Sequence, residues 1–233
     1  MKIQDAVALV TGANRGLGLG FTRALLAGGA RKVYAAARDP RTIELPGVEP
    51  VALDVTRDDD IAAAARAHGD VNLLINNAGI VRGGPLLAEG SLAALRAELE
   101  TNAFGLLATA RAFAPVLARN GGGAILDVLS VVTWVTPPHL ATYSVSKAAA
   151  WSITNGLRHE LRGQGTQVVA VHVGYIDTDL ARNLPGAKHA PDDVARAALA
   201  GLEAGRDEVL IDELSRQVKR GLAADPAIYT VPR

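Results

Sequence analysis

Short apolar runs alternate with alanine-rich segments of helical period along the whole chain. The runs predict strands at Val7–Val10, Lys32–Ala37, Pro50–Leu53, Asn72–Ile75, Ala124–Leu129, Gln167–Val173 and Val209–Ile211. Helices are predicted between them at Gly16–Ala27, Asp59–His68, Leu92–Arg119, Ser144–Arg162 and Asp192–Ala204. Because such strands are buried on both faces, the pattern predicts a doubly wound α/β fold of the Rossmann type, with about seven parallel strands. No repeat or linker divides the chain, so we expect one domain spanning 1–233.

Composition narrows the partners that this domain can have. The 24 basic and 24 acidic side chains cancel, which gives no electrostatic reason to expect nucleic acid or an anionic membrane as a partner. The chain has no cysteine, which excludes disulfides and thiolate metal sites. No apolar stretch reaches the roughly 18 residues of a membrane span, and the N-terminus lacks a signal pattern. We therefore expect a cytoplasmic protein.

A glycine-rich turn joins the first strand to the first helix. It reads Thr11-Gly12-Ala13-Asn14-Arg15-Gly16-Leu17-Gly18. Glycines permit a tight turn and a close approach of the main chain to a ligand, and the helix that follows offers N–H donors and the positive end of its dipole. At the first strand-to-helix junction of a parallel sheet, this turn predicts a site for the pyrophosphate of a dinucleotide.

The residues after the second strand indicate which dinucleotide is preferred. An NAD site usually carries an acidic residue there for the ribose, whereas this chain reads Tyr34-Ala35-Ala36-Ala37-Arg38. Arg15 lies inside the glycine turn, where it can approach the same ribose. Two guanidinium groups suit a 2′-phosphate, so we predict NADP(H) over NAD(H). The alternative is that both arginines are simply solvated.

Tyr143 follows Ser130 by thirteen residues, and Lys147 follows Tyr143 by four. On a helix this spacing places both side chains on one face. The lysine charge would then lower the tyrosine pKa from about 10 toward neutrality and allow it to exchange a proton with a substrate. The alternative for such a pair is a half-buried tyrosine beside a solvated lysine.

Taken in order, these motifs resemble the short-chain dehydrogenase/reductase family over almost the whole chain. The family's Thr-Gly-x-x-x-Gly-x-Gly is met within Thr11–Gly18, its adenine-contacting acid by Asp54, and its Asn-Asn-Ala-Gly by 76–79. The catalytic positions that the resemblance implies are Asn102, Ser130, Tyr143 and Lys147. The cofactor-binding positions are Thr11, Gly12, Asn14, Arg15, Gly16, Leu17, Gly18, Arg38, Asp54, Val55, Asn77, Ala78, Gly79, Tyr143, Lys147, Gly174, Ile176 and Thr178.

The resemblance also implies a role for each catalytic residue. Ser130 would donate a hydrogen bond to the substrate carbonyl oxygen, and Tyr143 would give that oxygen its proton. Lys147 would lower the tyrosine pKa and hold the nicotinamide ribose, while Asn102 would hold a water that connects Lys147 to solvent. Hydride would pass directly from the nicotinamide to the carbonyl carbon, so no metal is expected.

Three departures from the family pattern qualify the resemblance. Leu129 stands where a second serine is often found before Ser130, and Val173-Gly174 replaces a common Pro-Gly pair after the sixth strand. The segment that often forms a helical lid is reduced to Asp179–Ala190. A reduced lid predicts a more open pocket, weaker exclusion of water and broader substrate tolerance.

Residues flanking Ser130 and Tyr143 are candidates for the substrate pocket. They are Val131, Val132, Trp134, His139, Leu140 and Tyr175. Their apolar character favours a hydrophobic ketone or aldehyde, although Arg82 could instead bind an acid group. We therefore expect an NADPH-dependent carbonyl reductase or alcohol dehydrogenase acting on a small molecule.

Two rival functions and the oligomeric state stay open. The chain could be an NADP(H)-binding sensor without turnover, or it could have another activity of the family, such as that of an epimerase or an enoyl reductase. The wide Tyr–Lys spacing typical of the family's enoyl reductases counts against the last. Relatives often use the C-terminal stretch Asp207–Arg220 and the helix near Tyr143 for assembly, so a homodimer or homotetramer is expected.

Overall fold

Strands and helices alternate through the computed structural model, which describes residues 1–181 and 187–230. The strands are β1 Val7–Thr11, β2 Lys32–Ala37, β3 Glu49–Ala52, β4 Leu73–Asn76, β5 Ala124–Val128, β6 Gln167–His172 and β7 Glu208–Leu210. The α-helices are α1 Gly16–Ala27, α2 Asp58–Ala67, α3 Ser91–Leu99, α4 Gly105–Arg119, α5 Ala141–Leu161, α6 Pro191–Glu203 and α7 Glu213–Gly221. None of these helices combines the length and apolar character that a bilayer crossing requires.

The seven strands form one sheet in the order β3-β2-β1-β4-β5-β6-β7, and every neighbouring pair is parallel. The strand order reverses between β1 and β4, so the connections on the two sides run in opposite directions. This reversal opens a crevice at the carboxyl ends of the strands, where ligands of open α/β sheets bind. The predicted doubly wound Rossmann-type fold is confirmed.

Two apolar cores cover the two faces of the sheet. On one face, Phe21 of α1 and Leu199 of α6 pack against inward-facing residues of the strands. On the other face, Phe113 of α4 and Leu157 of α5 do the same. Because both faces are covered, the strands consist of consecutive apolar residues, which is why their positions could be predicted from the sequence.

The predicted long helix Leu92–Arg119 is interrupted in the structure. Residues Glu100–Phe104 form a π-helical turn between α3 and α4. Asn102, inside this turn, accepts a hydrogen bond from the Ile80 N–H at 2.8 Å and donates one to the Ile80 carbonyl at 2.9 Å. The wider turn thus brings the Asn102 amide to the loop that follows β4, and such turns are frequent at functional sites.

Candidate active site

A cleft of about 950 Å³ lies at the carboxyl edge of the sheet, near the upper end of the range for small-molecule sites. The predicted site residues that line it are Gly12, Asn14, Arg15, Gly16, Leu17, Arg38, Asp54, Val55, Asn77, Ala78, Gly79, Ser130, Tyr143, Lys147, Gly174, Ile176 and Thr178. The fold therefore collects residues that follow six strands, together with two residues of α5, around one space. Thr11, Gly18 and Asn102 lie just behind this lining and support it.

The glycine turn forms one end of the cleft and has the conformation that its glycines allow. Gly12 and Gly16 adopt φ of 65° and 54°, in the left-handed region. A Cβ on Gly18 would overlap the Gly12 carbonyl oxygen, so only glycine lets α1 approach the turn this closely. Arg15, the N-cap of α1, makes no capping hydrogen bond with its side chain. The first N–H groups of a helix have no partner within the helix, so the start of α1 at this turn fits a dinucleotide pyrophosphate.

Thr11 and Asn77 join the glycine turn to the loop after β4. The Thr11 hydroxyl accepts hydrogen bonds from the Asn77 and Ala78 N–H groups, both at 3.0 Å, and donates one to the Ile75 carbonyl at 3.3 Å. The Asn77 amide donates to the carbonyls of Thr11 and Gly12 at 2.9 and 3.2 Å. Thr11 thus lies outside the cleft lining but fixes the position of Asn77 and Ala78, which are part of it.

Charged side chains lie in the same end of the cleft, at the ends of β2 and β3. Arg38 and Asp54 both line the cleft. Burial raises the pKa of Asp54, but hydrogen bonds from Thr56 and the charges of Arg38 and Arg57 outweigh it and lower the pKa below its ordinary value. Asp54 is therefore a carboxylate at neutral pH.

Two residues at this end, Asp39 and Thr42, line the cleft and were missed from the sequence. The Asp39 carboxylate is held by the Arg41 guanidinium at 2.9 Å, and the Thr42 hydroxyl accepts from the Asn14 amide at 3.1 Å. Arg15 pairs across the cleft with Asp179 at 3.1 Å. The position of Asp39, directly after Arg38, was the available signal for its presence here.

The candidate catalytic residues lie at the other end of the cleft, where β5 ends and α5 begins. The Ser130 hydroxyl accepts from the Val132 N–H at 3.3 Å and lies 3.4 Å from the Val173 carbonyl. The Lys147 ammonium is 5.7 Å from the centre of the Tyr143 ring and donates to the Val128 carbonyl at 2.8 Å. The lysine side chain is buried, which excludes the solvated alternative for it.

Burial dominates the electrostatics of this pair. It raises the pKa of Tyr143 well above its ordinary value, and the charge of Glu98 raises it further. It also lowers the pKa of Lys147 to about 8, although the Asp127 carboxylate partly opposes this effect. The prediction that the pKa of Tyr143 falls toward neutrality is therefore wrong for the protein without cofactor, because desolvation of the phenolate dominates its pKa.

Asn102 stands behind the pair rather than in the cleft. Besides its two hydrogen bonds to Ile80, its amide donates to the Ser146 hydroxyl at 2.9 Å. Both amide hydrogens are therefore engaged with protein groups. That Asn102 holds a water connecting Lys147 to solvent stays a prediction. Such a water would have to donate its hydrogen bond to an oxygen of Asn102.

Two buried acids close to the candidate catalytic residues were not predicted. Glu98 accepts hydrogen bonds from the N–H groups of Arg82 and Gly83 at 2.7 and 2.9 Å. Asp127, inside β5, accepts from Asn76 at 2.9 Å and from Thr154 at 2.8 Å, and burial raises its pKa to about 6. An acidic residue within the apolar run Ala124–Leu129 was the signal that could have identified the second.

The predicted substrate-pocket residues are not among the described residues that line the cleft, and their role in binding a substrate stays a prediction. Val131, Val132, Trp134 and Leu140 form an apolar cluster with Val218 of α7, and the cleft residues Tyr143 and Val81 pack against that cluster. The Trp134 ring stacks on His172, with 3.9 Å between centroids. His139 is exposed, and Tyr175 is partly buried.

Other residues form the cleft wall beyond Ser130 and Tyr143. They include Val81, Arg82 and Leu180. The predicted short lid, Asp179–Ala190, lies only in part within the described residues. Among residues 1–181 and 187–230, no group of three His, Asp or Glu side chains could hold a metal ion.

A parallel sheet with a glycine turn at its switch point and a Ser–Tyr–Lys group at the same edge defines a dinucleotide-dependent oxidoreductase. A family model described as short chain dehydrogenase matches residues 6–188. The chain therefore belongs to the short-chain dehydrogenase/reductase family, as its motifs indicated.

Individual relatives agree with this family membership. An uncharacterized oxidoreductase of Staphylococcus saprophyticus is 30% identical over 219 residues, which cover 87% of this chain and 93% of that protein. The crystal structure of a short chain dehydrogenase from Burkholderia cenocepacia in complex with NADP has a TM-score of 0.94 and 45% identity, with all of both chains covered. A family member from Burkholderia phymatum in complex with NAD has a TM-score of 0.88 at 24% identity, with 100% of this chain and 99% of that chain covered, a likeness of fold alone. Structures similar to this chain thus include both NADP and NAD complexes.

Proposed function

We propose that this protein is an NADPH-dependent oxidoreductase that reversibly reduces a ketone or aldehyde to an alcohol. The proposal rests on one observation above all, which is that Ser130, Tyr143 and Lys147 border the same cleft as the glycine turn. Residues fit for proton transfer thus share a space with residues fit for a dinucleotide. The NADP complex of the relative that is 45% identical supports the choice of cofactor.

Bound NADPH supplies a hydride to the carbonyl carbon, and the protein must then supply one proton to the carbonyl oxygen. Ser130 donates a hydrogen bond to that oxygen and holds it near the Tyr143 hydroxyl. Tyr143 gives its proton as the oxygen gains negative charge, and it accepts the proton back when an alcohol is oxidised. Lys147 adds positive charge beside the phenolate that this transfer leaves behind.

The electrostatics of the cleft suit the reductive direction. Because burial raises the pKa of Tyr143, the phenol keeps its proton at neutral pH and is ready to donate it. The low pKa of Lys147, about 8, means that its ammonium form persists at neutral pH but is lost under mildly alkaline conditions. Reduction therefore has both the donor and the stabilising charge in place near pH 7.

NADP(H) is preferred over NAD(H) because Arg38 and Arg15 flank the ribose-facing part of the cleft. Asp39, which could otherwise repel a 2′-phosphate or bind a ribose hydroxyl, is engaged by Arg41. A guanidinium can bind a phosphate with two parallel hydrogen bonds, and a ribose hydroxyl gains far less from it.

The proposal is tested by following NADPH and NADH oxidation over a panel of aldehydes, ketones and diketones. We expect turnover with NADPH, and a lower kcat/KM with NADH. Arg38→Ala should lower kcat/KM for NADPH by about tenfold or more, since it removes a charged hydrogen-bond donor, and should leave the NADH value within about twofold. Arg66→Ala, which changes an exposed arginine of α2 outside the cleft lining, is the matched control.

Three outcomes would contradict parts of this proposal. Equal kcat/KM for both cofactors, or a preference for NADH, would refute the cofactor assignment. Tight NADPH binding without turnover of any panel member would favour a sensor. Conversion of a hydroxyl stereocentre without net oxidation would favour an epimerase.

We also propose that the chain assembles as a homodimer or homotetramer through the helices near Tyr143. Phe104 and Val145 expose 55% and 37% of their surface on the segments around α4 and α5. Such side chains gain by burial between two copies. Sedimentation of the wild type and of the Phe104→Asp/Val145→Asp double variant tests this, because the variant should be a monomer. A monomeric wild type would refute it.

A further inference from the structure

The loop 174–178 forms the wall of the cleft next to the candidate catalytic residues. Gly174, Ile176 and Thr178 of this loop line the cleft. The loop lacks the proline that would fix the main chain just before Gly174. Its conformation must therefore be held by contacts with other parts of the chain.

Asp212, the N-cap residue of α7, provides one of these contacts. Its Oδ2 atom accepts a hydrogen bond from the Gly174 N–H at 2.6 Å, and its Oδ1 atom accepts one from the Ser215 N–H at 2.7 Å. Only 7% of the Asp212 surface is exposed. A single carboxylate thus caps a helix with one oxygen and holds the cleft loop with the other.

His189 also holds the loop 174–178, through two main-chain hydrogen bonds. Its N–H donates to the Tyr175 carbonyl and its carbonyl accepts from the Asp177 N–H, both at 2.9 Å. Its Nε2 atom also lies 3.6 Å from Asp212 Oδ2. The loop is therefore fixed at three of its first four residues, and Asp212 is the partner shared by Gly174 and His189.

We propose that Asp212 is a positioning residue that fixes the loop 174–178 in the conformation that binds the nicotinamide end of NADP(H). The role rests on the proposed function, since it concerns the cofactor of that reaction. Hydrogen bonds to a carboxylate are stronger than neutral ones, and this bond is short. Gly174 contributes as well, because a Cβ there would lie 3.1 Å from Asp212 Oδ2 and would press the carboxylate away.

The two functions of the carboxylate can be separated by substitution. Asp212→Ser keeps a good helix N-cap but leaves no second oxygen to reach Gly174. Asp212→Asn keeps the shape of the side chain but replaces one acceptor by a donor, which cannot accept from an N–H group. Glu213→Gln is the control, because this neighbouring acid is exposed and pairs only with Arg216 and Arg220 in the described contacts.

Hydrogen exchange of the protein without cofactor gives a readout that does not depend on turnover. In Asp212→Ser, the amides of 174–177 should exchange about tenfold or more faster, while those of α7 stay protected. In Asp212→Asn, the one remaining oxygen can accept from Gly174 or from Ser215 but not from both, so either the amides of 174–177 or those at the start of α7 should exchange faster. The Kd for NADPH should rise about tenfold, with kcat at saturating NADPH and substrate changed by less than about threefold. Adding Val173→Pro should recover part of the Kd, because proline restricts the main chain before Gly174.

Exchange and Kd that match the wild type in both Asp212 variants would overturn the proposal. So would faster exchange that spreads through α7 in Asp212→Ser, since the residue would then act only as a helix cap. A wild type that does not bind NADPH would refute the proposed function instead. The exchange of 174–177 would still test whether Asp212 fixes this loop.

Discussion

The Thr11 hydroxyl is the point at which the glycine turn depends most on one side-chain group. Thr11→Val keeps the shape and β-branching of the side chain and removes only the oxygen. The N–H groups of Asn77 and Ala78 would then lose their acceptor. An amide left without a partner costs about 1–3 kcal/mol, so the loss of two acceptors should lower the free energy of unfolding by about 2–6 kcal/mol.

Thr22→Val is the matched control for this substitution. Thr11 and Thr22 are each 1% exposed, but the Thr22 hydroxyl only donates to the Leu19 carbonyl at 2.8 Å. That carbonyl lies inside α1 and keeps its main-chain helical hydrogen bond. The free energy of unfolding should therefore fall by less than about 1 kcal/mol in Thr22→Val.

Urea unfolding of both variants and the wild type measures the difference. The Thr11 variant should also bind NADPH more weakly, because the loop 76–79 that lines the cleft loses its anchor. If the two variants agree within about 0.5 kcal/mol, the hydroxyl does not hold the loop and the reasoning fails.

Three further perturbations test other parts of the structure. Gly18→Ala would overlap the Gly12 carbonyl, so we expect at least a hundredfold loss of NADPH affinity by titration or a protein that does not fold; normal affinity would contradict the geometry of the turn. Burial raises the pKa of Asp127 in the folded protein to about 6, above the value of about 4 in the unfolded chain. The protonated side chain therefore contributes to the free energy of unfolding below about pH 4, and this contribution is lost as the pH rises through 6. At about 1.4 kcal/mol per pH unit, the loss amounts to about 3 kcal/mol. Urea unfolding at several pH values should therefore show a wild type that loses about that much relative to Asp127→Asn between pH 4 and 7, and parallel curves would refute the assignment. Finally, kcat/KM for reduction should fall above about pH 8 as Lys147 loses its charge, and a flat profile to pH 10 would show that this charge is not needed.

Features set by local sequence were predicted correctly. Strands buried on both faces require consecutive apolar residues, so Val7–Val10 identified β1 to within one residue at its end. The glycine turn was recognisable because positive φ at Gly12 and Gly16 demands glycine at those positions. The four-residue step from Tyr143 to Lys147 placed both residues on α5.

Features set by distant contacts were not predicted. The π-helical turn at Asn102 depends on bonds to Ile80, which lies 22 residues earlier in the chain. Trp134 is not part of the cleft lining because it packs against α7, and nothing near it in sequence indicates that contact. The direction of the Tyr143 pKa shift depends on burial and on Glu98 of α3, which only the folded structure brings together.

The role of Tyr143 as proton donor is the central claim, and Tyr143→Phe tests it most directly. The variant keeps the ring and removes the hydroxyl, so the Kd for NADPH should stay within about twofold of the wild type. Turnover of the best carbonyl substrate of the panel should fall by about a thousandfold or more, within the range attributed to proton transfer by a positioned side chain. A variant that binds NADPH and keeps most of its kcat would contradict the account.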